Sequence, residues 1–179
     1  SKADEVRKKV DDINKRLRET TDRVAEETKK LIEELKKSAE EVKREVDKIN
    51  KDLRKLAEDG RSEEEVKRLS ERTEKLLEEN NKRSEEVVRR IRELHERDLT
   101  TVRRLSEETK RLLKEVADEG KISEKDVERL TRKSEKVVRE IEKKNEELKR
   151  ELTEVLKDDE RRNKELVEDS RRVLEEIRT

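Results

Sequence analysis

Apolar residues return along this chain every three or four positions, in three runs separated by glycine. In the first run they fall at Val6, Val10, Ile13, Leu17, Val24, Leu31, Leu35, Val42, Val46, Ile49, Leu53 and Leu56, and Thr20, Thr28 and Ser38 complete the series. Steps of 4, 3, 4, 3 and 4 make 18 residues in five turns, which matches the relaxed 3.6 residues per turn of a free α-helix. A heptad repeat would impose a left-handed supercoil and an 11-residue repeat a right-handed one, so this spacing predicts nearly straight helices. The second run follows the same rule through Val66, Leu69, Thr73, Leu76, Asn80, Ser84, Val87, Ile91, Leu94, Asp98, Val102, Leu105, Thr109, Leu112 and Val116. The third does so through Val127, Leu130, Ser134, Val137, Ile141, Asn145, Leu148, Leu152, Val155, Asp159, Asn163, Leu166, Ser170, Val173 and Ile177.

The two glycines, Gly60 and Gly120, divide the chain into near-equal thirds. Each tolerates the left-handed conformation that ends a helix, and each is followed by a start signal. Ser62 is placed to cap the next helix with Glu65 closing a capping box, while Ser123 caps the third with Asp126 at its third position and Ile122 stapled onto Val127. These signals predict helices at about 2–58, 63–118 and 124–178, each roughly 85 Å long at about 1.5 Å per residue. Connections this short force neighbouring helices antiparallel. The expected fold is all-α, a straight antiparallel three-helix bundle of helices about 55–57 residues long, forming one domain over residues 1–179.

The same stripes carry polar residues at positions that have to be buried. With turns near 60 and 121, residue i of the first helix lies level with about 120 − i on the second, which lies level with about 240 minus its own number on the third. Asn14 then meets Ser106 and Ser134, with Thr109 one turn away, and Asn50 meets Ser70 and Ser170, with Thr73 one turn away. These two layers are copies, because VKRLSERTEKLLEE at 66–79 recurs as VRRLSEETKRLLKE at 102–115, a ten-turn repeat. Between them fall two further clusters, one of Thr20, Thr28, His95, Asp98 and Asn145 and one of Ser38, Asn80, Ser84, Asp159 and Asn163. An unpaired buried polar group costs about 1–3 kcal/mol, so such residues are tolerable only where they meet. Stripes of Leu and Val alone permit a slip by one turn, whereas matched donors and acceptors are satisfied in one register.

Composition sharpens this picture by what it excludes. Of 179 residues 58% are charged, and there is no aromatic residue, Cys, Met or Pro, so 42 Val, Leu and Ile residues supply nearly all the core. That fraction suits disorder as well, but a disordered chain has no reason to hold one helical phase through three segments. Lys and Arg balance Asp and Glu at 52 each, with no basic face or stacking aromatic, which argues against nucleic acid as a partner. No apolar run reaches the length of a membrane span, SKADEVRKKV lacks the apolar core of a signal peptide, and the polar faces mix both signs, unlike lipid-surface helices. His95 with Asp98 invites a metal or acid/base reading, yet bundle metal sites gather several His and carboxylate ligands from different helices. The stronger reading gives His95, Asp98 and Asp159 structural hydrogen bonds, with no catalytic residue, metal or cofactor.

The ten-turn repeats, the EDGRSEEE loop and the layered Asn, Ser and Thr together resemble a de novo designed, parametrically generated helical bundle with buried hydrogen-bond networks. The resemblance spans all 179 residues. It implies a soluble scaffold made to fold, with no natural substrate, no enzymatic activity and no required partner. A rival expectation is an interaction component. Ile32, Leu77, Val88, Leu99, Leu113, Val138, Leu156 and Leu174 flank the stripes and widen them, which suits a homo-oligomer or a partner helix as well as a three-helix core.

Overall fold

A computed structural model of the protein describes residues 1–60 and 63–178. It contains three helices, α1 (Lys2–Asp59), α2 (Glu63–Asp118) and α3 (Glu124–Arg178), which pack against one another as a three-helix bundle. Their bounds agree with the expected ones to within a residue or two. Gly60 and Gly120 have φ of 113° and 67°, the left-handed region in which a side chain is strained. At the end of α2 the amide of Gly120 donates to the carbonyl of Ala117 at 3.0 Å and that of Lys121 to Val116 at 3.1 Å. That pair of bonds is a Schellman motif, and it satisfies carbonyls that the helix end would otherwise strand. At the start of α3 the Asp126 amide donates to Ser123 Oγ at 3.2 Å, and Ile122 and Val127 both pack on the neighbouring core cluster, as the cap and staple require. The cap expected at Ser62 lies outside the described residues. No described helix is long and apolar enough to cross a membrane.

The chain forms two compact units, each made of a segment from all three helices. The first combines Ser1–Lys29 with Arg90–Arg150, and the second Lys30–Arg89 with Glu151–Thr179. In the first, Val6, Val10, Leu113, Val116 and Leu130 form one core cluster, and Ile13, Leu17, Val102, Leu105, Val137 and Ile141 form another. In the second, Ile49, Leu53, Leu69, Val173 and Ile177 cluster, as do Val42, Val46 and Leu166. Burial repeats every 18 residues: Leu17, Leu35 and Leu53 are buried, as are Leu69, Val87 and Leu105, and Leu130, Leu148 and Leu166. Charged faces between the stripes carry ion pairs such as Arg18–Glu140, Arg90–Glu27 and Arg162–Glu40. These pairs are exposed and screened, so each adds at most a few tenths of a kcal/mol up to about 1, and the aliphatic clusters carry the fold.

The register agrees with the turn positions. Hydrogen-bonded side chains of α1 and α3 are separated by 120 to 122 positions, as in Asn50 with Ser170 and Asp11 with Lys133, so these two helices run parallel. α2 runs antiparallel to α1, with Thr21 opposite Asp98 and Thr28 opposite His95. One detail of the stripe differs from the expected one. Thr21 and Ala25 are buried, whereas Thr20 and Val24 are half-buried. Both routes step by three or four residues through the same face. The packed one places the small Ala25 inward, where little room is needed, and turns Thr21 towards a carboxylate.

Candidate functional site

The buried polar residues are the only candidates for chemistry that sequence analysis raised, and each unit holds two groups of them. In the first unit the centre is Asp98 on α2, whose residue is 1% exposed. Thr21 of α1 donates its hydroxyl to both carboxylate oxygens, at 3.2 and 3.3 Å, and Asn145 of α3 donates its amide nitrogen at 3.4 Å. All three helices therefore meet on one carboxylate. The expected partner Thr20 is not among them, because its neighbour Thr21 occupies the inward position. One turn before Asp98, the Nε2 of His95 shares a hydrogen bond with Thr28 Oγ1 at 3.2 Å. Thr28 is fully buried. Asn145 Oδ1 and His95 Nδ1 are buried with no hydrogen-bonding partner among the described residues.

The second unit repeats the chemistry with different residues. Asp159 on α3 accepts from the Asn80 amide nitrogen at 3.2 and 3.3 Å and from Ser84 Oγ at 3.3 Å, both on α2. Ser38 and Asn163, expected in this cluster, bond elsewhere. Ser38 accepts from Arg83, and Asn163 donates to Asn81 at 3.4 Å on the exposed side. Sequence reasoning passed over Arg83 and Asn81 because both lie outside the apolar stripe. A long guanidinium reaches inward from the edge of a stripe, and the periodicity of Cβ positions carries no record of that.

The two copied layers turn out unlike each other. Asn50 accepts from Ser170 Oγ at 3.1 Å, which is one of the two contacts expected of it. The bonds expected between Asn14 and Ser106 or Ser134 do not form: Asn14 Oδ1 and Ser106 Oγ are both buried without a partner among the described residues. Ser134 is buried and Ser70 half-buried. Thr109 and Thr73 do not reach across helices but donate to the carbonyls of Leu105 and Leu69 one turn back, at 3.0 and 3.2 Å. A threonine in a helix has this bond within reach at no cost in packing, so it outcompetes a partner on another helix.

Burial, which disfavours the charged ring, lowers the pKa of His95 below the usual 6.5; the Asp98 carboxylate pulls the other way, and Lys149 lowers it further. The folded protein thus binds this proton less readily than the unfolded chain. Its contribution to stability is full above the unfolded value near 6.5 and is lost as pH falls from there to the folded pKa. The difference in unfolding free energy between the parent and His95→Gln should therefore change across that interval and be level above pH 7. A difference that stays constant from pH 7.5 to 5 would show that the ring is not held in its neutral form. Among the described residues no three His, Cys, Asp or Glu side chains gather as a metal site requires.

No family model matches the chain. No curated protein is significantly similar to it. Among solved structures it is similar to a "Computationally designed three helix bundle", with 16% sequence identity, a TM-score of 0.69, and coverage of 98% of this chain and 90% of that one. At this identity the likeness establishes the three-helix fold.

Proposed function

We propose that the chain is a designed structural scaffold with no reaction to catalyse, in which buried polar layers select one register of the three helices. The observation that carries this reading is the Asp98 layer. A carboxylate from α2 takes a hydroxyl from α1 and an amide from α3 together; a slip of α2 by one turn would strand all three, and a slip of α1 or α3 would strand its own donor and leave the carboxylate one partner short. Such a layer contributes specificity at some cost in stability, since a buried carboxylate with neutral donors recovers only part of its hydration. The likeness to a designed bundle supports the same reading.

The two copied layers supply an internal control. A double-mutant cycle between Asn50 and Ser170, using Asn50→Ala and Ser170→Ala, should show coupling of about 0.5–1.5 kcal/mol. The cycle between Asn14 and Ser134 should show none, because that bond is not made. Asn14→Leu should also be better tolerated than Asn50→Leu: it removes a stranded amide oxygen, whereas Asn50→Leu strands the Ser170 hydroxyl. Equal coupling in the two cycles would mean that Asn14 and Ser134 do bond, and none in either would remove the basis for register selection by these layers.

A further inference from the structure

The two buried carboxylates are not equally enclosed. Asp98 is 1% exposed and takes donors from both neighbouring helices, whereas Asp159 is 7% exposed and, among the described residues, takes donors from α2 only. The reason lies on α1. At the offset of 120 positions that relates Ser170 to Asn50, Asp159 is level with Ala39, where the Asp98 layer has the hydroxyl of Thr21. A methyl group donates nothing and fills little space. Beside it, in the second unit, α1 and α3 leave a cleft of about 300 Å³, lined by the apolar Leu35, Ala39 and Val155 and by Asp159. That volume is enough for a small ligand.

The charges around the cleft indicate which ligand. An ionised carboxylate offers about four acceptor sites, and Asp159 meets two donors, the Asn80 amide nitrogen and the Ser84 hydroxyl, both neutral. The other lining charges have partners: Arg162 pairs with Glu40 at 2.6 Å, Lys36 with Glu33 at 3.4 Å, and Asp158 with Arg161 at 3.5 Å. Arg83, expected nearest this layer by its sequence position beside Ser84, bonds Ser38 instead. Asp159 therefore lines an apolar cleft as a carboxylate with no ion pair among the described residues. We propose that this cleft binds a primary alkylammonium ion of about four to six carbons, with its ammonium on the Asp159 carboxylate and its chain along Leu35, Ala39 and Val155. The ammonium supplies a countercharge and further donors to a carboxylate that neutral groups hydrate only in part, and the chain removes apolar wall from water. Asp98, enclosed by Thr21 and Asn145, offers no such access.

The test titrates the intact protein with pentylammonium chloride in about 50 mM salt near pH 7, where a primary ammonium with a pKa of about 10.4 is fully charged. Amide resonances of residues 35–40 and 155–162 should shift saturably, with a dissociation constant of about 5 mM or tighter. Pentan-1-ol, which has the chain without the charge, should bind at least about tenfold more weakly, and so should methylammonium, since each CH₂ removed costs about fourfold. Asp159→Asn keeps the shape of the side chain and should weaken pentylammonium binding about tenfold or more. Ala39→Leu fills the cleft and should abolish binding, whereas Asp98→Asn should leave it unchanged. No saturable shift up to about 20 mM pentylammonium would overturn the proposal, as would saturation centred on other residues. Equal affinity for pentylammonium and either pentan-1-ol or methylammonium would also overturn it. These comparisons use the parent chain and decide the matter whether or not the variants fold. In folded variants, binding indifferent to Asp159→Asn, or weakened as much by Asp98→Asn, would count against it equally.

Discussion

Leu105→Ala should cost about 3–5 kcal/mol, the upper part of the range for a buried leucine. Leu105 is 1% exposed and sits among Ile13, Leu17, Val102, Val137 and Ile141. The reason for the high value lies in the composition. With no aromatic residue and no methionine in the chain, the cluster has no large or flexible side chain to move into the space. The helices on either side are continuous and cannot close in locally without moving whole turns, so the cavity stays open and its lining loses contacts outright. The comparison substitution is Leu99→Ala, which at 45% exposure should cost less than about 1 kcal/mol. Denaturant unfolding of both variants measures the contrast. Similar losses at the two positions would mean that the aliphatic clusters are loosely packed.

Replacing the entire Asp98 layer, through Thr21→Val, Asp98→Leu and Asn145→Leu together, should raise stability by about 1–4 kcal/mol, the range seen when buried charged groups give way to apolar residues of similar size. Asp98 is held by one hydroxyl and one amide, with bonds of 3.2 to 3.4 Å, and no cation touches it through a hydrogen bond or an ion pair among the described residues. The carboxylate therefore gives up hydration that its partners only partly replace. Asp98→Leu alone should gain at least about 1 kcal/mol less than the triple variant, because the Thr21 hydroxyl and the Asn145 amide remain buried without an acceptor. The gain in the triple variant should come with a loss of uniqueness, read as broadened amide resonances or added oligomers. A triple variant clearly less stable than the parent would mean that the layer is a net source of stability and that register selection is not what it is for.

How far the chain could be read without its coordinates differs by level. The helices were legible almost to the residue, because an 18-residue apolar period, two glycines and a serine cap are local signals, and helix formation depends on local hydrogen bonds. The register was legible too. Two short connections leave the helices little freedom to slide, so Thr21 fell opposite Asp98 and Asn50 beside Ser170, within about three residues of the levels that the turns imply.

The hydrogen bonds were legible only in part. Asp98 with Asn145, Thr28 with His95, and Asp159 with Asn80 and Ser84 join residues already grouped by layer. Thr21 in place of Thr20, the turn of Thr73 and Thr109 onto their own helices, and the reach of Arg83 to Ser38 were not. Sequence by itself determined the helices, their order, their antiparallel run and the levels at which polar side chains lie, since these follow from backbone periodicity and chain connectivity. Only tertiary structure decided which polar atoms touch and which have no partner among the described residues, as the Asn14 amide oxygen has none where that of its copy Asn50 accepts from Ser170. A hydrogen bond is made or lost over less than an ångström and a modest change of angle. Rotamers and the packing of neighbouring aliphatic side chains set that distance, and a repeat in the sequence does not.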